Sequence, residues 1–229
     1  MMDHSPKPPE ALMRAIAADL RPVKPSPLPL RLALEVAPFA LLTSSLVLLA
    51  LGIRHDSGIL GPLLTWGAST AQFALAMVLV WVAAHESTPA RRLPSKVVYS
   101  AAGTAVLAVI AVSLSTSWVS PPSGPPRVSP WITGFACGIG STIAGGILVL
   151  LFSWMFRNSL VMRPTVAGAL YGAGAGVAIN AGWRMACPAS NLGHTLGAHG
   201  TAILAVVLLG ALIGRVLGAR KLYTGNRGS

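Results

Sequence analysis

The sequence predicts an all-α protein, a polytopic membrane bundle of six transmembrane helices with both termini in the cytoplasm. Apolar residues make up 53% of the 229 positions, charged residues only 10%, and the mean hydropathy is +0.67. Soluble domains carry about a quarter charged residues, so this composition excludes an ordinary soluble fold. The apolar residues also form continuous runs, and about 20 helical residues cross the roughly 30 Å hydrocarbon core of a bilayer.

The first segment, 1–31, is predicted to be cytoplasmic and to contain a short amphipathic helix. Within 10–20 the apolar residues recur at every fourth position, at Leu12, Ile16 and Leu20. Pro22 then ends the helix. An isolated helix of this length is marginal in water, so its apolar stripe must lie against something. That surface is either the membrane and the inner face of the bundle, which periodicity alone favours, or a cytoplasmic partner. The first 30 residues contain no apolar core of a signal peptide, so cleavage is not expected.

The second part, 32–217, contains six apolar stretches that are each predicted to form a transmembrane helix. They are 32–51, 59–84, 97–119, 131–156, 165–183 and 200–217. Continuous runs favour helices over barrel strands, which alternate over about ten residues. A helix also satisfies its own backbone hydrogen bonds in lipid. The remaining residues, 218–229, are predicted to form a cytoplasmic tail.

The distribution of Lys and Arg predicts the orientation. Fourteen of the 17 lie in the N-terminal segment, the second and fourth connections and the C-terminal end. Arg54, Arg127 and Arg184 are the three on the opposite side. Because positive residues stay on the cytoplasmic side, both termini face inward. The net charge of +11 therefore mainly reflects topology and an attraction to anionic lipid. Nucleic-acid binding is disfavoured, because the basic residues are dispersed rather than gathered in one patch.

Glycines four residues apart mark the helix faces expected to pack closely. They are Gly134 and Gly138 in the fourth span, Gly168, Gly172 and Gly176 in the fifth, and Gly210, Gly214 and Gly218 in the sixth. Such faces let two backbones approach where no hydrophobic effect drives helices together. We expect spans four to six to form a tight sub-bundle within one chain, in preference to a homodimer.

Two cysteines and two histidines fall on the side predicted to face outward. Cys137 lies near the start of the fourth span, and Cys187, His194 and His199 lie between the last two spans. Two thiols on the oxidising face could form a disulfide. Two thiols and two imidazoles could instead bind a soft or borderline metal such as zinc. In the third alternative Cys137 is a small apolar core residue and the histidines belong to a polar loop.

Two sequence elements resemble the NrsF-like family of polytopic membrane anti-sigma factors, and the resemblance runs from about Leu12 to about Leu222. One is the segment 15–23, Ala-Ile-Ala-Ala-Asp-Leu-Arg-Pro-Val; the other is Cys187-Pro188 followed by His194 and His199. The resemblance implies a protein of the bacterial inner membrane that holds an extracytoplasmic-function (ECF) sigma factor inactive at the cytoplasmic face. It also implies that the cysteines sense a stress signal.

Carried onto this chain, the resemblance assigns sigma-factor contact to Asp19, Leu20, Arg21, Pro22 and Val23, beside the stripe of Leu12, Ile16 and Leu20. It assigns sensing to Cys137 and Cys187. Between the two chemistries, a thiol switch is slightly favoured, because histidines in a Gly-rich loop need not converge on Cys137. Metal binding that also uses His194 and His199 stays open, and no other cofactor is expected.

Two other classes of protein are weaker explanations. A small transporter should place polar or charged residues at the bilayer midplane, where this chain has only Gln72 and a few Ser, Thr and Asn. A membrane thiol oxidoreductase generally needs a Cys-x-x-Cys pair, which is missing from the sequence. Since neither a nucleophile with its base nor a phosphate-binding loop is present, a non-enzyme is expected.

Overall fold

The computed structural model describes residues 9–19, 28–88, 91–120, 130–155 and 163–225, and every regular element in these ranges is helical. The α-helices are α1 (Glu10–Asp19), α2 (Pro29–Leu51), α3 (Ser57–Pro62), α4 (Ala68–Glu86), α5 (Ser95–Val119), α6 (Pro130–Met155), α7 (Pro164–Ala186), α8 (Leu192–His194) and α9 (Thr201–Gly225). A π-helical turn, Leu63–Gly67, joins α3 to α4, and a second, Thr195–Gly200, joins α8 to α9. The predicted all-α fold is confirmed for these ranges.

Five helical segments in the described ranges are long and apolar enough to cross a membrane. They are Pro29–Leu51, Ser57–Glu86, Ser95–Val119, Gly134–Met155 and Leu192–Ala219. They correspond to five of the six predicted spans, with ends that differ by a few residues except in the last. There the helical segment begins eight residues before the predicted position 200, because α8 and the π turn continue directly into α9.

The predicted span 165–183 forms α7, which is helical but not apolar enough to be among those five segments. Its sequence is rich in Ala and Gly, and most of its side chains are buried. It packs against α2, α4, α6 and α9, which places it at the centre of the bundle. A helix enclosed by protein does not need the large aliphatic side chains that face lipid, and small residues let its neighbours approach.

The glycines of α7 and α9 form a close seam between these two helices. A Cβ atom on Gly172 would lie 2.5 Å from the carbonyl oxygen of Val206 and 2.8 Å from Cα of Val207. Gly168 packs in the same way on the backbone of Gly210 and Gly214. The expected close packing within one chain is therefore present. α7 also packs tightly on α2, since a Cβ on Gly182 would lie 2.6 Å from the carbonyl oxygen of Ser44.

The predicted span 59–84 is interrupted near its beginning. Gly61 has φ of 70° and ψ of 172°, and Pro62 follows it, so α3 bends before the π turn begins. A positive φ costs glycine little, whereas it strains residues with a Cβ. The interruption lies within one of the two longest predicted stretches, where uniform hydropathy gave no sign of a bend.

Two hydrogen bonds inside the bundle join polar side chains of neighbouring helices to α7, and one ion pair lies within α2. The amide Nδ2 of Asn180 in α7 donates to Oε1 of Gln72 in α4 at 3.1 Å. The hydroxyl of Ser44 in α2 donates to the carbonyl oxygen of Ala178 at 2.9 Å. At the beginning of α2, Nε of Arg31 donates to Glu35 at 2.8 Å. Asn180 and Ser44 thus join α7 to α4 and α2.

Candidate functional site

The end of α7 places Cys187 beside α6. Pro188 disfavours the helical conformation at the residue before it, and Cys187 is extended with φ of −78° and ψ of 118°. Asn191 then caps the next helix, because its side-chain oxygen accepts a hydrogen bond from the backbone N–H of His194 at 2.8 Å. The short connection between α7 and α8 therefore has a defined backbone on both sides of Cys187.

The second π turn brings the two histidines together. In an α-helix, residues five apart point about 140° away from each other, since each residue turns the chain by about 100°. The wider π turn, with its i→i+5 hydrogen bonds, brings such residues closer to one face. The ring centroids of His194 and His199 are 5.2 Å apart. A Cβ on Gly134 would lie 3.8 Å from Nδ1 of His194, an ordinary contact distance, so the imidazole lies against α6.

Both thiols and both imidazoles converge on one point. Sγ of Cys137 lies 3.9 Å from Sγ of Cys187, and the latter lies 3.2 Å from Nε2 of His194. One ligand atom from each of Cys137, Cys187, His194 and His199 lies within 4.8 Å of the other three. All four side chains are buried, and neither thiol is in a disulfide. The reason for favouring a thiol switch, that the histidines need not converge on Cys137, is thus wrong, because they lie in helical turns.

The arrangement fits a tetrahedral metal ion. Zinc–sulfur bonds of about 2.3 Å at tetrahedral angles separate two sulfur atoms by about 3.8 Å, close to the distance between these thiols. Nδ1 of His199 is buried without a hydrogen-bond partner. The imidazole packs against the ring of Trp183 at a centroid distance of 5.9 Å. Two thiols and two imidazoles, one of which has a ring nitrogen without a hydrogen-bond partner, form a donor set for a soft or borderline cation.

The surroundings of Cys187 favour its thiolate. The Cys137 thiol hydrogen-bonds to it, and the imidazoles of His194 and His199 add to this effect. Together they lower the pKa of the Cys187 thiol below its ordinary value, although burial opposes the shift. The thiolate is the form of cysteine that binds metals and reacts with oxidants. Sγ of Cys187, within hydrogen-bond distance of Nε2 of His194, is therefore suited to act as a metal ligand.

A second polar cluster lies next to the Cys/His site. A small cavity, with room for about one water molecule, is bordered by residues that include Arg54, Arg184, Cys187 and His199. Arg54 is buried and forms an ion pair with Asp56. Sequence reasoning used Arg54 only as a charge for topology and missed this pair. The sequence did contain a signal for this pair. Arg54 and Asp56 are opposite charges in one short connection, on the side that is otherwise nearly free of Lys and Arg.

The predicted partner-binding segment is described only in part. α1 is helical over Glu10–Asp19, and its Leu12 and Met13 are about half exposed. Arg14 and Glu10 form an exposed ion pair at 3.6 Å. The backbone of Ile16 and Asp19 belongs to α1. The other predicted contact residues, Leu20, Arg21, Pro22 and Val23, lie outside the described residues.

Comparison with known proteins identifies the chain by one match. The model of a family described as NrsF, negative regulator of sigma F, matches residues 16–218. This match covers most of the 229 residues, including α2 to α8, the larger part of α9 and all four Cys and His residues of the site. No curated protein and no solved structure matches the chain.

Proposed function

The chain belongs to the NrsF family of negative regulators of sigma F, and we propose that it is a membrane-bound anti-sigma factor for an ECF sigma factor. It holds the sigma factor at the cytoplasmic face and releases it when a metal ion binds the Cys/His site at the outer face. One observation carries the sensing half of this proposal: four ligand atoms from two thiols and two imidazoles lie within 4.8 Å of one another. Regulators of this kind are generally not enzymes.

The proposed topology has six spans in the bacterial inner membrane, with α7 as the fifth. The other five are the long apolar helices. Contacts between the ends of the helices support spans that run in alternating directions. The backbone N–H of Arg54, after α2, donates to the carbonyl oxygen of Met185 near the end of α7. Ser120, after α5, donates to Ser190, before α8. These segments share one end of the bundle, as alternating spans require, and the bias of Lys and Arg places that end outside.

The proposed sigma-factor contact is the N-terminal segment around α1. It comprises Leu12 and Ile16 on the stripe, followed by Asp19, Leu20, Arg21, Pro22 and Val23. The exposure of Leu12 and Met13 supports it, because an apolar helix face left in water is typical of a surface that docks on a partner. Arg21 supplies a charge that can pair with an acidic surface of the sigma factor.

Metal binding acts on the packing of the bundle in this proposal. Cys137 belongs to α6, whereas the other three ligands lie between α7 and α9. A bound ion therefore pulls α6 toward the ends of two helices that are already packed backbone to backbone. Helix shifts of about 1–2 Å are typical of switching proteins. A coupling of about 1–3 kcal/mol between the metal and the sigma factor changes the affinity for the sigma factor by about 5–150-fold.

The test uses the full-length protein, purified in detergent together with its sigma factor. Reduced, metal-free protein should bind about one Zn²⁺ ion per chain, and added Zn²⁺ should release the sigma factor. His194→Ala and Cys187→Ser should both weaken Zn²⁺ binding, because each removes one of four ligands. His55→Ala is the matched control, since His55 is an exposed histidine outside the site.

Other outcomes separate the alternatives. One such outcome is that the thiols resist labelling in intact cells until a reductant is added, and that the protein contains no bound Zn²⁺. These two results together would show that the site is a disulfide switch and not a metal sensor. If His194→Ala bound Zn²⁺ as tightly as the His55→Ala control, the four-ligand site would be wrong. Failure to co-purify any ECF sigma factor would remove the anti-sigma function and leave a small transporter or a thiol-redox membrane protein as the alternative.

A further inference from the structure

Arg54 is a buried arginine at the outer end of the bundle. It lies three residues after α2, and its side chain is only 3% exposed. Its guanidinium forms a two-pronged ion pair with Asp56, with Nε 2.6 Å from Oδ1 and Nη2 2.7 Å from Oδ2. Ser120 donates a further hydrogen bond to Oδ2 of Asp56 at 3.0 Å. The charge of Arg54 is therefore fully compensated where it is buried.

The remaining donors of Arg54 are directed at the segment that carries Cys187. Its backbone N–H donates to the carbonyl oxygen of Met185 at 2.9 Å. Nη1 donates to the carbonyl oxygen of Arg184 at 3.3 Å, and Nη2 to that of Pro188 at 3.3 Å. Nη2 also donates to the hydroxyl of Ser190. These acceptors lie on both sides of Cys187, so one side chain fixes the backbone before and after the thiol.

The end of α7 needs such donors. The last carbonyl groups of a helix have no partner within the helix, and a cation there interacts favourably with the helix dipole. Arg184 holds the same turn from another direction, with Nη1 3.3 Å from Oγ1 of Thr116 in α5 and Nη2 3.0 Å from the carbonyl oxygen of Leu64. The Cys187 segment is thus tied to the ends of α2 and α5 and to the first π turn.

We propose that Arg54 is the positioning residue of the Cys/His site: it anchors the Cys187 segment to α2 and thereby sets the distance between the two thiols. This inference rests on the proposed function. The anchor at Arg54 makes the Cys187 segment the rigid side of the site and leaves Cys137 on α6 as the movable side. A metal ion then pulls α6 rather than the connection. Supporting groups that orient ligands typically change metal affinity by about 10–100-fold when they are removed.

Arg54→Lys tests the proposal, because lysine keeps the charge and loses the planar fork. The first readout is the rate at which a short bifunctional thiol reagent cross-links Cys137 to Cys187 in reduced, metal-free protein. The second readout is the affinity for Zn²⁺. We expect Arg54→Lys to lower both by about 10–100-fold, while sigma-factor binding without metal stays normal. Arg215→Lys, on the exposed surface of α9, is the matched control and should change neither.

Asp56→Asn should reproduce the effect, and the double variant should be no worse than either single variant, because both changes break one ion pair. Unchanged cross-linking and Zn²⁺ affinity in Arg54→Lys would overturn the proposal. If Arg54→Lys does not fold, Ser190→Ala tests the proposal instead. This variant removes one hydrogen-bond acceptor of Arg54 without leaving an unpaired charge, and it should slow cross-linking by a few-fold. No slowing would again overturn it. A wild-type protein that ignores Zn²⁺ would contradict the proposed function alone, because cross-linking is measured without metal.

Discussion

The seam between α7 and α9 can be tested by adding a single methyl group at Gly172. In Gly172→Ala the new Cβ would lie 2.8 Å from Cα of Val207 and 2.5 Å from the carbonyl oxygen of Val206. Carbon atoms in contact prefer about 3.5–4.0 Å, so the two helices must separate by about 1 Å. Both near atoms are backbone, and no side chain can rotate away to make room.

The expected cost follows from this separation. A gap of about 0.5–1 Å forfeits a quarter to a half of the contact energy of the atoms that line it. Overpacking a close interface typically costs about 1–3 kcal/mol, and a backbone clash belongs at the upper end of that range. The higher helix propensity of alanine offsets at most about 1 kcal/mol of this cost. We therefore expect Gly172→Ala to lower the free energy of unfolding by about 2 kcal/mol.

Reversible unfolding of the purified protein in mixed detergent micelles, followed by circular dichroism, measures this loss. Gly103→Ala is the matched control: Gly103 is also within a long helix, α5, but a Cβ there would meet no atom within 4 Å. That variant should be as stable as the wild type or slightly more stable. Equal stability of Gly172→Ala and Gly103→Ala would refute the packing argument. A Gly172→Ala protein with unchanged stability but altered oligomeric state would show that the glycine face serves a homodimer.

Three further predictions concern topology, partner binding and the thiols. Reporters placed after Ser229 and near Ser95 should be cytoplasmic and one near Gly124 external, whereas an external C-terminus would contradict six spans. Replacing Leu12, Ile16 and Leu20 by Glu should raise transcription from the sigma factor's targets at normal abundance of the membrane protein; full repression by this variant would mean that the stripe lies on lipid. Cys137→Ser and Cys187→Ser should give the same signalling defect, with the double variant no worse than either, and additive defects measured by reporter expression would place the thiols in separate sites.

The helical segments could be predicted from the sequence because the signal for them is local. Hydropathy over about 20 residues placed 97–119 within two residues of α5, Ser95–Val119. The same signal did not show that α7 is the central helix. Its many Ala and Gly residues lower its hydropathy, and only the packing of four other helices around it explains them. The glycine spacing pointed to close approach but did not identify which helix would contact Gly182.

The candidate site could be predicted as a set of residues but not as a geometry. Cys137 and Cys187 are 50 positions apart, and their approach depends on how α6 packs against the end of α7. The histidines were assigned to a loop, because no local sequence pattern predicts the π turn that contains His199. The ion pair of Arg54 and Asp56 was missed for a related reason. Its function depends on acceptors in the Cys187 segment, more than 120 residues further along the chain.

The position of the Cys/His site explains how a small change there can act on the whole bundle. Its four ligands come from three helical segments at one end of the bundle: α6, α7 with its cap, and α8 with the π turn that leads into α9. Below the site, α7 and α9 contact each other through backbone atoms at Gly168, Gly172 and Gly210. Interfaces of this kind have no flexible side chains to absorb a displacement, so packed helices shift as units. At the other end of the seam, Gly214 and Gly218 meet Pro164 at the beginning of α7. α6 packs against both α7 and α9. In the proposed mechanism, a shift of α6 at the Cys/His site therefore acts on a pair of helices that move as one unit and extend to the face where the sigma factor is proposed to bind.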